Sequence, residues 1–338
     1  MIGNAWHRRR ILQALALAPF AGRAWASQTD AFPDHVTLLI AGPSGGGLDE
    51  VGRTLASKLQ QHMPAGTAVA ALSIGGVDGV TGANQFATQT GLDGGTAMLV
   101  PGAAVLAWLA GDSRVHFDPS RWLPIIARTA PAIVVGHAIR PGRRVRVAAG
   151  SAISPALAAM LAFDLLGAEV QPVFGLGDPA TALSALQAGH VEAVLLHGSA
   201  PLESLAADYP AAQPQFSFGV PTGDGAYRRD DAAPEIPTLL EYNTALGRPA
   251  PAGPRFEAWC CAAGAVQLQY ALVLPSLTPP SGVALWHEAG AHALAPDSDG
   301  AILYASAASV LLRSLNPRGA TLLDLRGWLA DRLGWQPG

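Results

Sequence analysis

The segment HVTLLIAGPSGGGLDEVGRTLASKL constrains this chain more than any other. Val36 to Ala41 is an aliphatic, β-branched run of strand type, and Leu48, Val51, Leu55 and Leu59 recur at helical spacing. Between them lies a glycine-rich turn, Gly42 to Gly47. Such a turn has few side chains to keep a ligand off its backbone, and its amides open a helix whose dipole favours negative charge. In outline this is a small-anion site.

Beside the anion site, three readings compete for that turn: a nucleotide loop, a hydrolase nucleophile elbow, and a plain strand-to-helix turn with no ligand, since tight turns use glycine anyway. A Walker-type nucleotide loop needs Lys and then Ser or Thr after its last glycine, whereas Leu48-Asp49 stands there, and the dinucleotide spacing also fails. Gly42-Pro43-Ser44-Gly45-Gly46 does satisfy G-x-S-x-G between a strand and a helix. A secreted serine hydrolase with Ser44 as nucleophile is therefore the alternative reading, with Asp297 or Asp299 and His287 or His292 as its triad partners. Against it, the strand is the first after the leader, with no oxyanion loop before it.

His7-Arg8-Arg9-Arg10 precedes a short apolar stretch, Ile11 to Ala21, and Ala24-Trp25-Ala26 has the small-x-small pattern of a cleavage site. Residues 1–26 read as a signal peptide, with the arginine pair fitting the twin-arginine type. Eleven residues, Gln13 among them, are too few to span a bilayer, and the expected location is periplasmic. Removing 26 of 338 residues leaves 312, enough for two domains.

A formal net charge of −4 disfavours nucleic acid as a partner. Lys58 is the sole lysine, and Arg140, Arg143, Arg144 and Arg146 form a local cluster that reads as a solvated loop. Cys260 and Cys261 are adjacent in an apolar context and read as small buried hydrophobes, since neighbours rarely reach disulfide geometry. His287 and His292 lie five residues apart, about 140° around a helix, and cannot grip one ion together. No metal or cofactor is expected.

From Val36 to Val220 strand-like and helix-like segments alternate. Thr96–Val100, Ala132–Gly136, Val145–Ala149, Val170–Phe174, Val191–Leu196 and Gln215–Val220 read as short buried strands; Pro155–Gly167 and Asp178–Gly189 read as helices. Repeated strand-helix-strand units predict an α/β protein with parallel sheets. Two crossing segments are expected near Thr129 and Gly219. The first domain then comprises 27–129 plus 220–338, and the second 130–219.

Several motifs in order resemble the Bug family, also called TctC, the periplasmic solute-binding receptors of tripartite tricarboxylate transporters. They are Phe32-Pro33, Gly45-Gly46-Gly47-Leu48-Asp49 with Arg53, Gly76 to Ala83, Asp93-Gly94, Phe117-Asp118-Pro119 and Gly150-Ser151. Phe174-Gly175 with Asp178-Pro179-Ala180, Ala188 to Glu192, and Glu235 to Glu241 complete the set. The resemblance implies a periplasmic-binding-protein type 2 fold, two Rossmann-like α/β domains with a ligand cleft between them. It implies a non-enzymatic receptor for a small organic acid, partnered by membrane permease subunits. Carried over by position, the carboxylate site is Ser44, Gly45, Gly46 and Gly47 facing Ser151 and Ser154, with Phe174, Gly175 and Asp178 near the cleft. Ala41, Gly42 and Asp78 depart from the family pattern, which bears on the pocket rather than on the fold.

Overall fold

Apolar runs punctuated by glycine and proline become strands that each hand the chain to a helix. The computed structural model describes residues 32–198, 205, 208–210, 212–222, 226–293 and 301–336, so the expected signal segment lies outside it. The first part holds β1 (His35–Ala41), α1 (Gly47–Gln60), β2 (Ala68–Ile74), α2 (Val80–Gln89), β3 (Thr96–Val100), α3 (Gly102–Ala110) and β4 (Trp122–Thr129). The middle holds β5 (Ala132–Gly136), β6 (Arg144–Ala148), α4 (Ala156–Leu165), β7 (Glu169–Val173), α5 (Pro179–Gln187), β8 (Ala193–His197) and β9 (Pro214–Ser217). The last part holds β10 (Val220–Pro221), β11 (Tyr227–Arg228), α6 (Leu239–Ala245), α7 (Pro254–Gln267), β12 (Leu268–Pro275), α8 (Pro280–Ala293), β13 (Ala301–Tyr304), α9 (Ala305–Ser314) and α10 (Gly319–Leu333).

Besides the short β10–β11 ribbon, two sheets form, in the orders β13-β4-β12-β3-β1-β2 and β7-β6-β8-β5-β9. Both are mixed rather than wholly parallel. β1 pairs parallel with β2 and β3, but β12 runs antiparallel between β3 and β4. In the second sheet β6 is parallel to β7 and β8, and β5 is antiparallel to β8 and β9. The chain leaves the first sheet at Thr129 and enters the second at Ala132, a link of two residues. The expected strand from Gln215 to Val220 ends at Ser217, because Gly219 at φ 73° turns the chain away. A side chain there would strike Thr238 Cγ2 at 2.8 Å.

Local chemistry explains the helices. α1 carries Asp49 and Glu50 in its first turn and Lys58 in its last, both favourable to its dipole. Asp178 caps α5 by accepting from the Thr181 amide, with Pro179 next. In α4 every residue from Ala156 to Phe163 is buried, as suits a helix apolar on all sides. Its burial is supplied by α7, which packs against α3, α4 and α10 at once. Trp259 at the centre of α7 is wholly buried among Phe218, Tyr227 and Phe256. On the same helix, Arg255 reaches Asp164 of α4 at 2.6 Å and Asp324 of α10 at 2.7 Å. Cys260 and Cys261, both free, also ride on α7, and burial pushes their thiols up to about 11 and about 12.

The first turn of α3 meets the last turn of α7 backbone to backbone. A Cβ on Gly102 would lie 2.0 Å from the Ala265 carbonyl oxygen and 2.4 Å from that of Leu268. Neither atom belongs to a side chain that can rotate away. Gly102→Ala should therefore lower stability by about 1–3 kcal/mol or more. Thermal unfolding followed by circular dichroism checks this, and an unchanged midpoint would mean that the two helices separate easily.

Candidate functional site

The glycine turn is shaped by its own backbone and by one carboxylate. The Gly42 amide donates to the Ile40 carbonyl at 2.9 Å and that of Gly46 to the Pro43 carbonyl at 3.2 Å. Gly45 adopts φ 75°, a region that glycine enters without a steric penalty. Its amide donates to Asp49 Oδ2 at 2.8 Å. Asp49 also accepts from the Ser73 hydroxyl at the end of β2 and from Arg53 Nε at 3.1 Å. The side chain is buried, and one carboxylate thereby joins turn, helix and neighbouring strand.

The Ser73 hydroxyl first, and then the Gly45 amide and Arg53, hold the Asp49 carboxyl down at about 2. Asp49 is therefore ionised, and a negative charge in the first turn opposes anion binding. Arg53, 3.0 Å from Oδ1, offsets it. The amides of Gly47, Leu48 and Asp49 have no partner among the described residues, and Ser44 is exposed. Three main-chain donors and one hydroxyl donor are thus available at one helix end.

The sites expected on the second sheet gather in two adjoining turns. A Cβ on Gly150 would lie 3.2 Å from Gly177 Cα, and the Leu176 amide donates to the Ala149 carbonyl at 3.0 Å. Ser151 is exposed. The Ser154 hydroxyl donates to the Ser151 carbonyl at 2.8 Å, so its proton is already engaged within the turn. Phe174 is 49% exposed and Gly175 has φ 85°. Asp178 accepts from both the amide and the hydroxyl of Thr181 at 2.9 Å, which keeps its carboxyl below the ordinary range. It serves its helix.

In the first sheet the ends of β1, β2 and β3 converge. A Cβ on Gly79 would sit 2.6 Å from Pro101 Cδ and 3.1 Å from the Ala41 carbonyl oxygen. Asp78, in the turn before α2, pairs with Arg114 at 2.8 Å. No hydrogen bond or ion pair among the described residues joins Ser44–Gly47 to the turns at Ser151 or Phe174. What connects the two sheets at this level is a cavity of about 220 Å³. Pro101, Gly102, Ala103 and Leu106 form one wall; Pro155 and His197 form the opposite one. Ala130 of the crossing link and Ala265, Val266, Leu268 and Gln269 close the back.

His197 and Gln269 escaped the sequence reading. The available signal was a polar residue directly after the apolar strand run Ala193–Leu196. His197, at the exposed end of β8, lines the cavity, and the atoms packed around its ring lower its imidazole from the ordinary value.

The histidines of the hydrolase reading stand elsewhere. His292 stacks on His62, with ring centroids 5.1 Å apart, just past the C-terminal end of α1. Ser44 precedes the opposite end of that 14-residue helix, about 20 Å away. Trp286, beside His287, donates to the Gly94 carbonyl near the start of β3, whereas the glycine turn lies at the strand ends. Neither histidine is positioned to activate Ser44. Asp297 and Asp299 lie outside the described residues.

Asp49 gives a pH test. Its depressed pKa means that its stabilising contribution is complete above the ordinary value of 3.8 and is lost as pH falls toward about 2. Asp49→Asn should show a shallower fall of thermal midpoint between those values than the native chain. Identical slopes would show that the carboxylate does not hold the turn.

No protein-family model matches the sequence, and no curated protein matches it significantly. Its fold has clear likenesses among solved structures. A TctC solute-binding protein from Polaromonas, without ligand, is 17% identical at a TM-score of 0.61, over 88% of this chain and 98% of that one. The periplasmic binding protein BugD is 16% identical at 0.52, over 89% and 97%. An R. palustris protein solved with adipate is 19% identical at 0.53, over 90% and 98%. The chain has the two-sheet α/β fold of these solute-binding proteins.

Proposed function

We propose that this chain is a periplasmic receptor of Bug/TctC type, which captures a small carboxylated organic molecule for the permease of a tripartite tricarboxylate-type transporter. The observation that carries this reading is the row of unpartnered amides at Gly47, Leu48 and Asp49, on a turn held rigid by the Asp49 carboxylate. A desolvated carboxylate needs convergent donors, and main-chain N–H groups at a helix start supply them without a buried cation. The fold shared with TctC and Bug proteins, and the adipate carried by one structural neighbour, support the same class. The leader at 1–26 supports export.

In this reading residues 27–129 with 220–338 form one domain and 130–219 the other. Ser44 and Ser151 donate hydroxyls to one carboxylate, whereas Ser154, Phe174, Gly175 and Asp178 shape the opposing turns. The pivot is Gln267, whose carbonyl accepts from the Ala130 amide at 2.9 Å while its side-chain amide donates to the Gly219 carbonyl at 2.9 Å. Both crossing links thus hang on one residue. Saturating ligand should reduce the radius of gyration in solution scattering, and no change would mean a preformed site.

A thermal-shift screen of mono-, di- and tricarboxylates identifies the ligand, since 100 times the dissociation constant stabilises by roughly 2.7 kcal/mol. With that acid, Ser44→Ala and Ser151→Ala should each cost about 1.5–3 kcal/mol, a tenfold to hundredfold loss of affinity by calorimetry. Gly46→Val should do at least as much harm, because its Cβ would already press on the Pro43 carbonyl oxygen at 3.2 Å. Unchanged affinity in all three folded variants would move the site elsewhere.

A further inference from the structure

The arginine cluster of the middle segment is exposed, yet it borders a cavity. Arg140, Pro141, Gly142 and Arg143 form a tight turn in which the Arg143 amide donates to the Arg140 carbonyl at 3.1 Å and Gly142 has φ 74°. Proline followed by a glycine of positive φ is the type II pattern, and it brings the first and fourth residues within about 7 Å of each other. Two arginines are thereby set side by side. The turn is held there, because the Ile139 amide donates to the Tyr242 hydroxyl at 3.2 Å, the Gly142 amide to the Gly167 carbonyl at 2.8 Å and the Glu169 amide to the Arg143 carbonyl at 2.9 Å.

The acids nearby are already engaged. Arg144 pairs with Glu169 at 3.1 Å. Arg146 donates to Glu192 through Nε at 2.9 Å, and its main-chain amide donates to the same carboxylate at 2.7 Å. The guanidinium groups of Arg140 and Arg143 have no acceptor among the described residues. A cavity of about 90 Å³ lies against them, lined by Arg140, Arg143 and Arg144 together with His137, Ile139 and Glu192. Arg248, whose guanidinium packs on Gly167, adds a further positive charge beside the turn.

Two like charges held together with no acid between them repel each other, and an anion that neutralises both is favoured. The donors select its kind. A carboxylate is satisfied by one guanidinium fork, whereas a phosphate group presents more oxygens and up to two charges, which suits several guanidiniums lining one space. At about three times the share of liquid volume of one water, the cavity fits such a group and little more.

We propose that this turn is a phosphate-group site, held by Arg140 and Arg143 with Arg144 at its margin. Its chemistry is that of free phosphate or of the phosphodiester in an anionic lipid headgroup. The site stands at the start of β6, whereas Gly150 follows the end of that strand, roughly 20 Å away along it. It is therefore separate from the carboxylate turns and stands or falls without them.

Calorimetry on the full chain in low-salt buffer at neutral pH makes the first test. Inorganic phosphate should bind with a dissociation constant of about 1 mM or tighter, and at least about tenfold more tightly than acetate. The double variant Arg140→Gln, Arg143→Gln should weaken phosphate at least about tenfold. Arg313→Gln with Arg318→Gln, which removes the same charge from exposed positions elsewhere, should leave it unchanged, as should Gly46→Val, with folding of all variants checked by circular dichroism. Sedimentation with vesicles separates the sources. Capture by phosphatidylglycerol but not phosphatidylcholine vesicles, lost in the Arg140, Arg143 double variant, assigns the site to a lipid headgroup; calorimetric binding without vesicle capture assigns it to the free anion. Acetate binding as tightly as phosphate would overturn the proposal, as would equal losses in both double variants or a loss in Gly46→Val alone. So would a native chain that takes up neither phosphate at about 10 mM nor phosphatidylglycerol vesicles.

Discussion

The joint between the two sheets depends on the burial of α7. Helix α4 belongs to the second sheet by sequence and α3 to the first, yet both bury their apolar sides on the same helix. Trp259 fills the junction, and truncating a buried tryptophan typically costs about 3–5 kcal/mol. Arg255 adds two half-buried ion pairs across the same seam, to Asp164 and Asp324. A hydrophobic core is therefore continuous from one sheet to the other. The space between Pro101 and Pro155 is what that packing leaves unfilled.

The charge arrangement at the glycine turn follows a different logic. A first-turn aspartate would ordinarily compete with an incoming anion for the helix end. Here Asp49 is turned onto Ser73 and the Gly45 amide, with Arg53 against its outer oxygen. Its charge is spent on shaping the turn, and the amides of the first helical turn stay unpartnered. Asp78 is treated similarly, since Arg114 pairs with it and also holds Asp112 at 2.6 Å. Neither acid is left as a free charge on the turns where β1 and β2 end.

The parts of this architecture written locally were legible in the sequence. Asp178-Pro179 with Gly189 marks both ends of α5, and β1 and β3 are plain apolar runs. β4 was invisible because it contains Pro124 and Arg128, and the structure accommodates Pro124 where the pairing with β12 slips register. β2 was missed since its alanines have little strand preference and it lies at the sheet edge. Strand direction was misjudged because an apolar run says how deeply a strand is buried and nothing about which way it points. The cavity wall was beyond reach for the same reason as most sites. Pro101, His197 and Gln269 meet only through tertiary packing, and none carries a motif.

One close contact ties the wall of the cavity to the joint between the sheets. The last turn of α7 does two jobs within a few residues. Its Ala265 carbonyl, with that of Leu268 at the start of β12, presses on Gly102 and its Gln267 tethers both inter-sheet links, while Ala265, Val266 and Leu268 also wall the cavity. A substitution on that wall therefore also acts on the stiffness of the joint. Pro155 and His197, on the opposite bank, take no part in that joint.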